Sequence, residues 1–176
     1  VHQDEPELAV RAGALSAARL VRIRNRGLSF PESGPWRVEI GEKGRLDKLE
    51  VSAFEDEALP AGYVRVEIRA AGINFRDVLN TLGMVYMPYL GLELAGVVSE
   101  IGEGVETLAV GDEVFGLGQA TFASSCTADA RVLTKLPENL SFEQAATIPL
   151  AFLTAWYALH DLGELKSDER ILIHAA

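Results

Sequence analysis

Glycines stand at positions 96, 102, 104, 111, 116 and 118, and they cut this part of the chain into short runs: Leu94 to Ile101, Asp112 to Leu117 and Phe122 to Leu136. Each run is strand-like, and glycines between strands mark turns or bulges. The clearest strand lies upstream, at Tyr63 to Arg69. There Val64, Val66 and Ile68 point one way while Arg65, Glu67 and Arg69 point the other, as a half-buried sheet requires. Several short strands so closely spaced by glycine turns predict a small β-barrel.

The flanking segments extend this pattern. Ala17 to Ile23 and Trp36 to Ile40 alternate as strands, separated by the turn formers Asn25, Gly27, Pro31, Gly34 and Pro35. Arg76 to Leu82 reads as a short helix after the Gly72-Ile73-Asn74-Phe75 turn. The loop Gly83 to Gly91 holds Met84, Tyr86, Met87, Pro88 and Tyr89, which suit either a pocket wall or a lid over the core. At Ser141 the period changes. Ser141 and Gln144 match a capping box, Ala145 onward is helical, and Pro149 breaks or kinks the helix before a second segment from about Phe152 to Leu159. After Gly163, Arg170 to His174 reads as a short apolar strand of the kind found inside a parallel sheet. The expected division is an extension over 1–35, a barrel domain over 36–140, and the beginning of a second domain over 141–176.

Charge and composition exclude several classes. The chain has 176 residues, 48% of them hydrophobic, with 16 basic and 26 acidic residues and a net charge of −10. Its only concentration of basic residues, Arg19, Arg22, Arg24 and Arg26, alternates with Val21 and Ile23 as a solvated strand face does, so no nucleic acid partner is expected. The apolar stretch Ala145 to Leu159 falls short of the roughly 20 residues that a bilayer requires, so no membrane span is expected. The single Cys126 cannot close an internal disulfide and Val1 to Glu7 carry no signal peptide, which leads to a reducing, cytoplasmic setting. A first residue Val1 and a last residue Ala176 directly after an apolar run suggest a piece excised from a longer polypeptide.

Three familiar signals fail on inspection. Gly102-Glu103-Gly104 lacks the third glycine of a dinucleotide fingerprint, since position 107 is Thr, and a further turn at Val110-Gly111-Asp112 stands where a helix should start. Cys126, His2, His160 and His174 have no paired spacing, so no metal site is expected. Ser124 and Ser125 lack the glycine-flanked elbow of a hydrolase.

What remains is an ordered set of segments: Ala70-Ala71-Gly72-Ile73-Asn74-Phe75-Arg76-Asp77, Gly91-Leu92-Glu93-Leu94-Ala95-Gly96-Val97-Val98, Gly102-Glu103-Gly104-Val105, Val110-Gly111-Asp112-Glu113-Val114, Ile148-Pro149 to Leu159, and Ile171 to Ala176. From about Pro35 onward this order resembles the zinc-free medium-chain reductases. The Asn74-Phe75-Arg76-Asp77 element is most similar to that of the enoylreductase domains of modular polyketide synthases and animal-type fatty acid synthases. Zinc-dependent relatives carry Gly-His-Glu and an early cysteine where this chain has Gly91-Leu92-Glu93 and Ile73-Asn74-Phe75.

The resemblance implies a fold that is mixed but mainly β: a GroES-like β-barrel substrate domain followed by the first helix and strand of a truncated Rossmann α/β domain. It also implies NADPH as cofactor, with Asn74 and Phe75 beside the nicotinamide and Thr154 approaching from the other side. Read without it, Asn74 is a turn residue and Thr154 a helix hydroxyl bonded to its own backbone. The reaction implied is reduction of an α,β-unsaturated acyl thioester on an acyl carrier protein, with adjacent synthase domains as further partners. Many relatives place a tyrosine directly after Leu-Gly-Met as candidate proton donor. Here Leu82-Gly83-Met84 is followed by Val85, and Tyr86, the candidate catalytic residue, comes one place later, which in extended chain turns it to the opposite face. Two other readings stand beside this one: a free-standing quinone or enal reductase of the same superfamily, and a non-catalytic scaffold or dimerisation module.

Overall fold

The computed structural model describes residues 8–11, 13–17 and 28–174. The strand expected over Ala17 to Ile23 and the arginine run fall largely outside these residues. Two strands, β1 (Leu8–Arg11) and β2 (Ala14–Ala17), pair antiparallel. A second hairpin joins β3 (Trp36–Ile40) to β4 (Leu49–Ala53). The main sheet contains β5 (Tyr63–Ala71), β6 (Glu93–Ile101), β7 (Glu113–Leu117), β8 (Ser125–Asp129) and β9 (Leu133–Lys135), in the antiparallel order β8-β5-β6-β7-β9.

This sheet has to curl. Strands β8 and β9 form its opposite edges, yet only Ala130–Val132 separates them in sequence. Four strand spacings in a flat sheet would put those edges about 19 Å apart, whereas three connecting residues reach at most about 14 Å even when extended. Two register shifts between β5 and β6 bend the strands. At Gly96 the two strands come so close that a Cβ would run into the Glu67 carbonyl. The expected run Phe122 to Leu136 is thus two strands, broken where the chain crosses from one edge of the sheet to the other.

Alternation determines what fills the curl. Val64 and Val66 of β5, Leu94 and Val98 of β6, Val114 of β7, and Cys126 and Ala128 of β8 form one buried cluster. Hairpin β3–β4 attaches at the β8 edge, where the Val38 N–H donates to the Phe122 carbonyl at 2.7 Å and Ser124 bonds the Trp36 main chain. On the outer face, Arg65 is not simply wet. Its guanidinium bonds Asp56, Glu100 and the Glu57 carbonyl, so the segment after β4 folds over it.

Helix α1 (Phe75–Thr81) follows β5. The capping box at Ser141 is formed, with the Ser141 N–H donating to Gln144 Oε1 at 2.9 Å and the Gln144 N–H donating to Ser141 Oγ at 3.3 Å. The helix it opens, α2 (Phe142–Ala145), seats Ala145 and Ala146 against Ala95 of β6. Pro149 does not break a helix but begins one. It occupies the first turn of α3 (Pro149–Trp156), where its missing N–H would have had no partner. A π-helical turn over Tyr157–Leu162 continues α3.

The segment Arg170 to His174 forms no strand, and Ile171, Leu172 and Ile173 are largely exposed. A parallel strand exists only through hydrogen bonds to neighbours, and the described residues provide none here. No described helix is long and apolar enough to cross a membrane.

Candidate functional site

Helix α1 carries its polar residues inward. Asp77, Asn80 and Thr81 are buried, and each is satisfied. Asp77 Oδ2 accepts the Asn74 N–H and Oδ1 accepts the Gly91 N–H, both at 2.9 Å. Asn80 accepts the Met87 N–H at 3.0 Å and donates to the Tyr89 carbonyl at 3.1 Å. Thr81 Oγ1 donates to the Asp77 carbonyl. One face of a two-turn helix therefore clamps the second half of the aromatic loop, at Met87, Tyr89 and Gly91.

With the loop so pinned, a cleft of about 380 Å³ opens between it and β3, lined by Arg37, Lys43, Tyr86, Met87, Tyr89 and Leu90 among others. Tyr86 is exposed, and Lys43 Nζ lies 4.4 Å from its ring centroid. Of the two readings of the loop, the pocket wall is the one its placement supports. Tyr86 lines this cleft, and Asn74, Phe75 and Thr154 do not.

Asn74 stands at the N-cap of α1 with extended backbone geometry, its N–H held by Asp77 Oδ2 and its carbonyl accepting the Asp77 N–H at 2.9 Å. Its Nδ2 donates to Glu93 Oε1 at 2.8 Å. The other oxygen of Glu93 accepts the Leu150 N–H at 2.9 Å. Glu93 is 4% exposed, and its carboxylate faces the first turn of α3, where the helix dipole favours negative charge. Thr154 lies four residues beyond Leu150, on the same side of α3 and about 6 Å further along its axis. The structure thus brings Asn74 and the helix bearing Thr154 onto one carboxylate. Phe75, beside Asn74, is exposed. Thr154 is exposed on α3.

Reading the sequence missed Glu93, Asp77 and Asn80. A signal for Glu93 existed: it is the one charged residue in Leu90 to Val98, a run otherwise composed of apolar residues and glycines. Such a residue inside a buried strand calls for partners.

Helix α3 turns Phe152, Leu153 and Trp156 outward, with Tyr157 following, all more than half exposed. Phe152, Leu153 and Trp156 also line a shallow apolar depression with Phe115, Leu133 and Pro149. Among the described residues, no three His, Cys, Asp or Glu side chains cluster as metal ligands would. Burial pushes the Cys126 thiol up to about 12, against a smaller opposing pull from Arg65, so it is no nucleophile at neutral pH.

Residues 60–141 match the alcohol dehydrogenase GroES-like domain. Across 178 aligned residues the chain is 45% identical to the spectinabilin polyketide synthase system protein NorB of Streptomyces orinoci, an alignment covering 98% of this chain and 8% of that protein. Among solved structures it superposes on the CurK enoyl reductase with a TM-score of 0.76 and 36% identity, over 81% of this chain and 47% of that one. It superposes on the Escherichia coli quinone oxidoreductase complexed with NADPH with a TM-score of 0.66 and 34% identity, over 76% and 43% of the two chains. The chain therefore spans about half the length of these solved structures and under a tenth of the synthase. Fold and sequence agree that the chain belongs to the enoyl reductase domains of modular polyketide synthases, within the quinone-oxidoreductase-like branch of the medium-chain reductases.

Proposed function

We propose that this chain supplies the substrate barrel and one wall of the nicotinamide site of a domain that reduces an α,β-unsaturated acyl thioester held on an acyl carrier protein. The observation that carries this reading is the meeting of Asn74 and the start of α3 on Glu93. It ties the Asn74 amide, with the exposed Phe75 next to it, to the start of the helix that bears Thr154. NADPH, when bound, would supply the hydride for the β-carbon. Asn74 would orient the carboxamide, Phe75 and the apolar face of α3 would keep water from the ring, and Thr154 would offer its hydroxyl from the helix side.

The test uses an enoyl reductase domain that carries this sequence together with its nucleotide-binding part. NADPH consumption with a crotonyl or 2-methylcrotonyl pantetheine thioester is expected, and its absence, together with absence of NADPH binding, would overturn the proposal. The likeness to quinone oxidoreductases favours a second reading, reduction of a quinone or enal. Turnover of a quinone without turnover of the thioester would select it.

A further inference from the structure

We infer that Glu93 is a positioning residue that decides which end of the Asn74 amide meets the nicotinamide; this rests on the cofactor placement proposed above. An asparagine side chain offers a carbonyl oxygen at one end and an NH2 at the other, and only its neighbours determine which way it faces. Here those neighbours leave one solution. The Leu150 N–H is a main-chain donor whose direction is set by α3, so whatever stands at position 93 has to accept from it, and Glu93 Oε2 does so at 2.9 Å. The remaining oxygen of a carboxylate also only accepts. Asn74 therefore turns its NH2 to Glu93 Oε1, at 2.8 Å.

The carboxylate has no room to swing away. Gly72 packs against it so closely that a Cβ there would run into Oε1 and would lie 2.6 Å from the Ala146 carbonyl. Glycine at 72, an acceptor at 93 and a proline-started helix at 149 thus form one cradle around the amide. Its product is an Asn74 Oδ1 committed to accepting. The Asp77 N–H donates to the Asn74 main-chain carbonyl at 2.9 Å, so Oδ1 remains for another donor. A nicotinamide carboxamide would meet it with its NH2, and a ligand lacking that group would gain nothing from the arrangement.

The experiment measures dissociation constants for NADPH and for 2′-phospho-ADP-ribose, which lacks the nicotinamide, by fluorescence and calorimetry on the same complete domain. Glu93→Gln keeps the volume but lets position 93 donate, so Asn74 can reverse. It is expected to weaken NADPH by about tenfold while the fragment changes by less than about twofold, the upper end of the scale for one hydrogen bond between neutral groups. Asn74→Asp, which sets two carboxylates face to face, is expected to show a loss of the same kind. The double variant Asn74→Asp with Glu93→Gln rebuilds the pair, because the new glutamine donates to Asp and still accepts from the Leu150 N–H. It is expected to return NADPH affinity to within about threefold of the original, at the same scale.

Equal weakening of both ligands, an unaffected Glu93→Gln, or a double variant no better than Asn74→Asp would each overturn the inference. If Glu93→Gln fails to fold, the comparison of Asn74→Asp with the double variant decides. Failure of the unaltered domain to bind NADPH would instead sink the functional reading.

Discussion

The Asp77 carboxylate in α1 accepts the Gly91 N–H at 2.9 Å, joining the helix that follows β5 to the residue that leads into β6. The same carboxylate holds the Asn74 N–H, so a single side chain aligns the turn before the helix and the end of the aromatic loop. Asp77→Ala leaves two main-chain donors without acceptors in a buried place and is expected to destabilise the chain by about 3 kcal/mol. Asp77→Asn, which keeps one acceptor, is expected to lose about half as much. Urea unfolding midpoints at constant m-value check both, and a loss within measurement error would contradict the clamp.

Thr121 is fully buried, and its Oγ1 has no partner among the described residues. Thr121→Val removes the hydroxyl and keeps the shape, so it is expected to raise stability by about 1 kcal/mol. Gly91→Ala should do the reverse. A Cβ there would meet that same Oγ1, and the backbone angle φ of +83° is one that side chains rarely adopt. Thermal unfolding of the two variants should move in opposite directions.

Cys126 titrates from about 12 in the folded chain, above its ordinary value of 9.0, because burial disfavours the thiolate. A raised folded value means that the associated stability is fully present below pH 9.0 and is lost as pH climbs toward about 12. The slope in that window is expected to be about 1.4 kcal/mol per pH unit more in the unaltered chain than in Cys126→Ala. Urea titrations of both at pH 8, 9 and 10 measure the difference, and identical slopes would refute it. Iodoacetamide at pH 8 is expected to label Cys126 only after unfolding.

Tyr86 and Asn74 are separated by their surroundings, one on the cleft beside β3 with Lys43 against its ring, the other on Glu93. Tyr86→Phe keeps the ring and is expected to change thioester turnover by less than about threefold. A proton donor would show a loss of about 100-fold or more. Asn74→Ala is expected to reduce kcat/KM by about tenfold or more. Steady-state rates in the complete domain separate these cases.

Much of the barrel was legible because the physics behind it is local. Val64, Val66 and Ile68 face one way since side chains alternate along any strand. Ser141 and Gln144 close their box within four residues, and helix α1 begins at the Asn74 turn with Asp77 in reach. Proline forbids the interior of a helix, which favours a break at Pro149, yet it suits a first turn equally well, and only the chain before it decides between the two.

The residues that organise the site are of another kind. Glu93 and Leu150 are 57 positions apart, and Asp77 and Gly91 are 14 apart. Arg65 looked solvated until the chain around Asp56 folded across it, and Ile171 to Ile173, apolar enough for a strand, formed none. By itself the sequence determined most of the main-sheet strands, their inward faces, the glycine turns and the Ser141 cap, since these depend on neighbours within a few residues. Only the tertiary structure decided that the sheet curls until β8 and β9 are three residues apart, and that a carboxylate in β6 governs an amide before α1. Those outcomes depend on which distant groups the curl brings within hydrogen-bonding range, and no short-range pattern encodes that.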